Sequence, residues 1–124
     1  MGNASRGSGT LGLVSSLTPS AFRAEAALAW TALSSGTRWA EVALLPGRGT
    51  LYRIQGEPGS RFPPHTHRGG EEVYVLAGDY ADDSGTYRGG DYLRYPPGSR
   101  HEPWTAGGCD LLVIWWDAPE PAVG

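Results

Sequence analysis

Residues 59–78 read GSRFPPHTHRGGEEVYVLAG, and the reading of this stretch decides the fold. Two histidines, His65 and His67, stand two positions apart in it. On a strand, positions two apart point to the same face. The pair therefore sets two imidazoles side by side, a spacing that lets both grip one metal ion. Arg68-Gly69-Gly70 follows as a turn, and residues 71–77 then read as a strand rich in Val and Tyr. A carboxylate at the start of that strand can reach the point that the imidazoles face. Glu71 and Glu72 both stand there. Strand neighbours alternate between faces, so at most one of the two is a ligand. Spacing alone leaves that choice open.

The third and last histidine, His101, ends a second patterned stretch, GDYLRYPPGSRH at 90–101. In full, the first pattern is Gly59, five residues, His65, one, His67, three, Glu71, six, Gly78. The second is Gly90, five residues, Pro96, one, Gly98, two, His101. These spacings resemble the two signature motifs of the cupin superfamily. The second motif commonly ends in an Asn that is not a metal ligand, and this chain has Thr105 there. The resemblance covers residues 39–117. The finer wording is FPPHTHRGGEEVYVLAG, then DDSGTYRGGDYLRYPPGSRHEP, then Gly108-Cys109 before the last strand. It is similar to the ChrR-type cupin family, which includes the metal-binding domain of the ChrR anti-sigma factors and resembles the acetylacetone-cleaving dioxygenases.

The resemblance implies an all-β fold, a small cupin β-barrel or double-stranded jelly roll, with one metal ion in its mouth. It carries over His65, His67 and Glu71 as ligands from the first motif and His101 from the second. Gly59, Gly78, Gly90 and Gly98 are expected in turns that need positive φ. Three imidazoles and one carboxylate, with no thiolate, suit one divalent metal ion per chain, Fe(II) or Zn foremost, with Mn, Ni or Co also compatible. On an octahedral ion that set leaves two positions for a chelating substrate and dioxygen. On tetrahedral Zn it closes the site. The leading expectation is a metal-dependent dioxygenase-type enzyme acting on a small carbonyl, β-diketone-like compound. The alternative is a non-catalytic, ChrR-like sensory or regulatory cupin. The ChrR proteins carry a separate N-terminal zinc domain with His and Cys ligands, whereas no His or Cys precedes Trp39 here. A metal-free dimer module would not need the four ligands. Tyr52, Arg53, Arg61 and Trp104 are the candidates for orienting a substrate.

The rest of the chain agrees with one β-rich domain. Its 124 residues fit a single domain, and 19 Gly with 10 Pro favour short strands joined by tight turns. Strands are expected at 39–45, 50–55, 71–77, 80–81, 86–87, 91–95 and 109–116. Leu111-Leu112-Val113-Ile114-Trp115-Trp116 is apolar on both faces, as in a strand covered on both sides. Residues 1–17 read as a flexible arm. Residues 18–36 read as an N-terminal helix packed on the barrel, opened by Thr18-Pro19, with Phe22, Ala26, Trp30 and Leu33 on its apolar face and Gly36 as its stop. Residues 37–124 are the cupin domain.

Every basic residue is Arg, which reads as a coding bias and not a function, and the net charge of −3 argues against nucleic-acid and polybasic membrane partners. The single cysteine, Cys109, excludes an intrachain disulfide and is expected as a small buried residue. No apolar run approaches a membrane span, and residues 11–17 make a poor signal peptide, so a cytoplasmic protein is expected. The doubly apolar last strand and the N-terminal segment point to a homodimer.

Overall fold

A computed structural model describes residues 18–117. It contains the strands β1 (Thr31–Ser34), β2 (Thr37–Leu45), β3 (Gly49–Gly56), β4 (His65–His67), β5 (Glu71–Asp82), β6 (Gly85–Arg88), β7 (Tyr92–Tyr95), β8 (Ser99–His101) and β9 (Cys109–Trp116). The large sheet runs β1-β2-β3-β9-β5-β6, with β7 also paired to β5. A two-stranded ribbon of β4 and β8 lies apart from it. Every pairing is antiparallel. This is the jelly-roll architecture that the sequence implied.

Two strands organise the sheet. β9 lies between β3 and β5, with Gly49 opposite Trp116 and Glu71 opposite Trp115. Its alternate residues Cys109, Leu111 and Val113 are buried, while Leu112 and Ile114 on the other face are half-buried. A strand with apolar side chains on both faces suits this central place. β5 is long enough to serve several partners. Its first residues pair with β7 and β9, and its last four with β6. The expected separate strand at 80–81 is the far end of β5.

The core comprises Ile54, Phe62, Val73, Val75, Tyr80, Cys109, Leu111 and Val113. Side chains such as Leu111 and Val73, at 2% and 1% exposure, each contribute about 1.5–3 kcal/mol by leaving water. Gly59, Gly78, Gly90 and Gly98 all adopt positive φ, as expected. At Gly78 the requirement is double, because a Cβ there would also lie 1.9 Å from the Gly108 carbonyl oxygen. Thr105, where the motif commonly has Asn, is buried, and its hydroxyl donates to the Asp79 carbonyl at 2.7 Å. It ties the loop before β9 to β5.

The expected helix over 18–36 does not form. Its only helical turn among the described residues is a 3₁₀ turn at Glu25–Ala27, flanked by extended backbone at Ala24 and Leu28. A lone helix of this length is marginal unless its apolar stripe is buried, and Phe22 is instead 86% exposed. The competing structure satisfies more groups. Thr31 and Ala32 pair with Trp39 and Arg38, which gives β2 a partner on what would otherwise be an open edge. The Trp30 ring lies under the Arg38 guanidinium at 4.2 Å, and Glu25 pairs with Arg53 at 2.7 Å. Through Glu25 and Trp30 the segment lies against the outer sheet face, whereas Leu33 of β1 packs against the core. The arm at 1–17 lies outside the described residues.

Candidate metal centre

Antiparallel pairing of β4 with β8 sets His65 opposite His101 and His67 opposite Ser99. The turn after His67 closes with the Gly70 N–H donating to the His67 carbonyl at 3.2 Å, and it delivers Glu71 at the start of β5. Thus two sequence-distant motifs meet at one point. Ligand atoms of His65, His67, Glu71 and His101 all lie within 4.8 Å of one another. The Nε2 atoms of His65 and His101 are 2.9 Å apart, and those of His67 and His101 are 3.1 Å apart. Glu71 Oε1 lies 3.0 Å from His67 Nε2 and 3.5 Å from His101 Nε2. Glu72, the other candidate at this turn, has its carboxylate on Tyr92 and Trp116.

The hydrogen bonds behind the rings fix the tautomers. His65 Nδ1 faces the Pro63 carbonyl at 2.8 Å, an atom that can only accept. His101 Nδ1 faces the Asp82 carboxylate at 3.0 Å. His67 Nδ1 is 2.9 Å from the Ser99 hydroxyl, which spends its own proton on the Pro96 carbonyl at 2.6 Å and so accepts from the ring. Each ring therefore donates from Nδ1 and turns Nε2, the atom free to ligate, inward. The Trp115 indole N–H holds Glu71 Oε2. Glu71 Oε1 is buried without a hydrogen-bond partner among the described residues. Converging lone pairs in a dry site repel one another unless a cation sits among them. The donor set, its tautomers and the unpartnered oxygen all fit a divalent metal ion.

The electrostatics follow from the same contacts. Burial pushes the Glu71 carboxyl up, yet His101, His65 and His67 outweigh it and hold the group well below its usual range. Burial also pushes Asp82 up, but Ser84, Tyr95 and His101 bring it down to about 2. Asp82 accepts from the Tyr95 hydroxyl at 2.6 Å on the oxygen that takes His101. An ionised carboxylate behind a ligating imidazole orients the ring and raises its basicity.

A cavity of about 60 Å³ adjoins His65 and Glu71, with Leu33, Ile54, Phe62, Val113 and Trp115 in its wall. The substrate-orienting candidates from the sequence stand elsewhere. Tyr52 stacks on Trp39 and lies 5.1 Å from the Trp115 ring, one ring removed from the cavity. Arg53 is engaged by Asp110 and Glu25. Arg61 is exposed, with its guanidinium 5.6 Å from the Trp104 ring, and Trp104 bridges Arg61 and Ala81. Cys109 is buried in the core, and burial pushes its thiol up to about 11. Asp82, Ser99 and Trp115 escaped the sequence reading. Asp82 opens an Asp-Asp-Ser-Gly turn and reads there as turn chemistry. Trp115 meets Glu71 only through cross-strand register.

The fold has counterparts among solved structures. An RmlC-like cupin from Shewanella frigidimarina superposes with a TM-score of 0.70 at 19% identity, covering 80% of this chain and 92% of that one. The anti-sigma factor ChrR of Rhodobacter sphaeroides, solved with SigE, gives 0.67 at 25% identity, covering 75% of this chain and 51% of the other. An acetylacetone dioxygenase from Acinetobacter johnsonii gives 0.68 at 14% identity, covering 80% and 74%. No curated protein is a significant match. The sequence profile of the ChrR cupin-like domain matches residues 20–118, and the chain belongs to that family.

Proposed function

We propose that this chain holds one divalent metal ion on His65, His67, Glu71 and His101 and works in the cytoplasm as a dioxygenase-type enzyme on a small carbonyl, β-diketone-like compound. The observation that carries the reading is the Glu71 carboxylate, with Oε2 held by Trp115 and Oε1 unpartnered among three inward lone pairs. Fe(II) and Zn suit this donor set best, with Mn, Ni and Co also compatible. A bound ion of this kind supplies Lewis acidity and, for iron, redox chemistry. The protein's own residues do the rest. Pro63, Ser99 and Asp82 keep each imidazole in the ligating tautomer. Apolar side chains around His65 and Glu71 exclude bulk water and strengthen every polar contact made there. The acetylacetone dioxygenase of like fold supports the substrate class.

The test is metal content by elemental mass spectrometry on protein purified without added metal or chelator, followed by oxygen uptake with acetylacetone. Near-stoichiometric iron and substrate-dependent uptake are expected. Failure to take up any metal on reconstitution overturns the reading. The family match favours a second reading, a metal-binding sensory cupin. Tight Zn with no turnover of any carbonyl compound decides for it. We also propose a homodimer through the outer face of β5 and β7, where Tyr74, Leu76 and Tyr92 are 43%, 41% and 57% exposed. Analytical ultracentrifugation tests it, and a monomer at high micromolar concentration overturns it.

A further inference from the structure

Tyr80 is 3% exposed, and its hydroxyl makes no hydrogen bond to another described residue. The fully enclosed side-chain atom without a partner among the described residues is Glu71 Oε1, so the Tyr80 hydroxyl instead meets accessible space. The residue stands in the wall of the cavity that His65 and Glu71 also line. Its ring lies 6.5 Å from that of His101 and packs on Phe62 at 5.9 Å. The other polar atoms of this wall are committed, since His65 Nδ1 is on Pro63 and the Trp115 N–H is on Glu71. What remains is the inward His65 Nε2, Glu71 Oε1 and the Tyr80 hydroxyl. Burial first, and then the nearby Glu71, push the phenol well above its usual value, so it stays a donor.

We propose that the Tyr80 hydroxyl orients a ligand in this cavity by donating a hydrogen bond to one of its oxygens. The ligand is a small molecule with its oxygens at one end and hydrocarbon at the other, such as a short ketone or β-dicarbonyl. This inference rests on the metal-centre reading and adds the residue and the ligand polarity to it. The size follows from the cavity, about 60 Å³, against the ~300–1,000 Å³ of sites that enclose drug-sized molecules. The polarity follows from the wall. No Arg lines it, and on a divalent ion held by Glu71 one ligand charge completes neutrality, so a ligand with a second carboxylate would bury that charge unpaired.

The test uses Mn(II)-loaded protein under nitrogen, so that the ion keeps open positions and ligands bind without redox chemistry. Acetylacetone and malonate, with the same spacing of oxygens but different charge, are titrated by calorimetry into wild type and Tyr80→Phe. Tyr80→Phe is expected to keep one metal per chain and to melt at or above the wild-type temperature. It should bind acetylacetone about tenfold more weakly. Malonate should bind wild type at least about tenfold more weakly than acetylacetone. Unchanged acetylacetone binding in Tyr80→Phe overturns the proposal. So does a clearly lower melting temperature or loss of metal, either of which makes the hydroxyl structural. Malonate binding as tight as acetylacetone overturns the ligand class. If wild type takes up no metal, the metal-centre reading itself fails, and that is seen before any ligand is added.

Discussion

Glu71 and Glu72 are consecutive on one strand, and each accepts the indole N–H of a tryptophan on β9, Trp115 for the first and Trp116 for the second. Their remaining oxygens meet opposite fates. Glu71 Oε1 is buried among three imidazoles, whereas Glu72 Oε1 takes the hydroxyl of exposed Tyr92 at 2.5 Å. The alternation of a strand between faces makes the whole difference. Side-chain chemistry is therefore not what designates a ligand in this molecule. The designation comes from which face of the sheet a residue occupies, and the tryptophan behind each carboxylate acts as the same clamp on both sides.

Several measurements break or sharpen this contrast. The largest effect is expected from His65→Ala/His67→Ala, which should take metal from one per chain to none by elemental analysis; retention at the wild-type level abolishes the inner site. Glu71→Ala should also lose most of the metal while Glu72→Ala keeps it, and the reverse result would invert the two faces. Next comes Asp82→Asn. Asp82 is not one of the four candidate ligands but orients His101, and loss of such a partner lowers metal affinity about 10–100-fold. Competition against a chromophoric chelator reads this, and an unchanged affinity would remove Asp82 from the centre. On the outer face, Glu72→Ala should change folding stability by less than about 1 kcal/mol in urea titrations, because its Tyr92 partner is exposed. The smallest effect concerns Cys109. With its thiol near 11, the native protein should label with iodoacetamide only slowly at pH 8, and labelling should quicken in denaturant. Fast native labelling would show that this core position opens readily.

The ligand positions were legible because they stand at fixed local spacings in two short motifs, and one strand register then brings His65 opposite His101. The centre of the sheet was legible as well, since the last strand reads as apolar on both faces over residues 111–116. What escaped the sequence is non-local. Trp115 stands 44 residues from Glu71, and nothing in Leu-Leu-Val-Ile-Trp-Trp tells which indole turns inward. Ser99 lies in a turn-rich stretch, and its part comes only from the β4–β8 pairing. The N-terminal misreading has a related cause. Alanine-rich spacing satisfied a helical period, but the pairing of Thr31 with Trp39 leaves no local trace. Local periodicity lost to a hydrogen-bonded edge.

The position of β9 reaches beyond the finished fold. It is the last of the described strands along the chain, yet it stands in the middle of the sheet, between β3 and β5. While the chain is being synthesised, both of those neighbours must wait with open edges until residue 116 has emerged. Until then Glu71 also lacks the indole that fixes its carboxylate. Any loading of the centre would thus be a late event that follows synthesis of β9. A chain cut short within β9 loses its middle and not a margin, so it should be a substrate for proteolysis and not a slightly weakened protein.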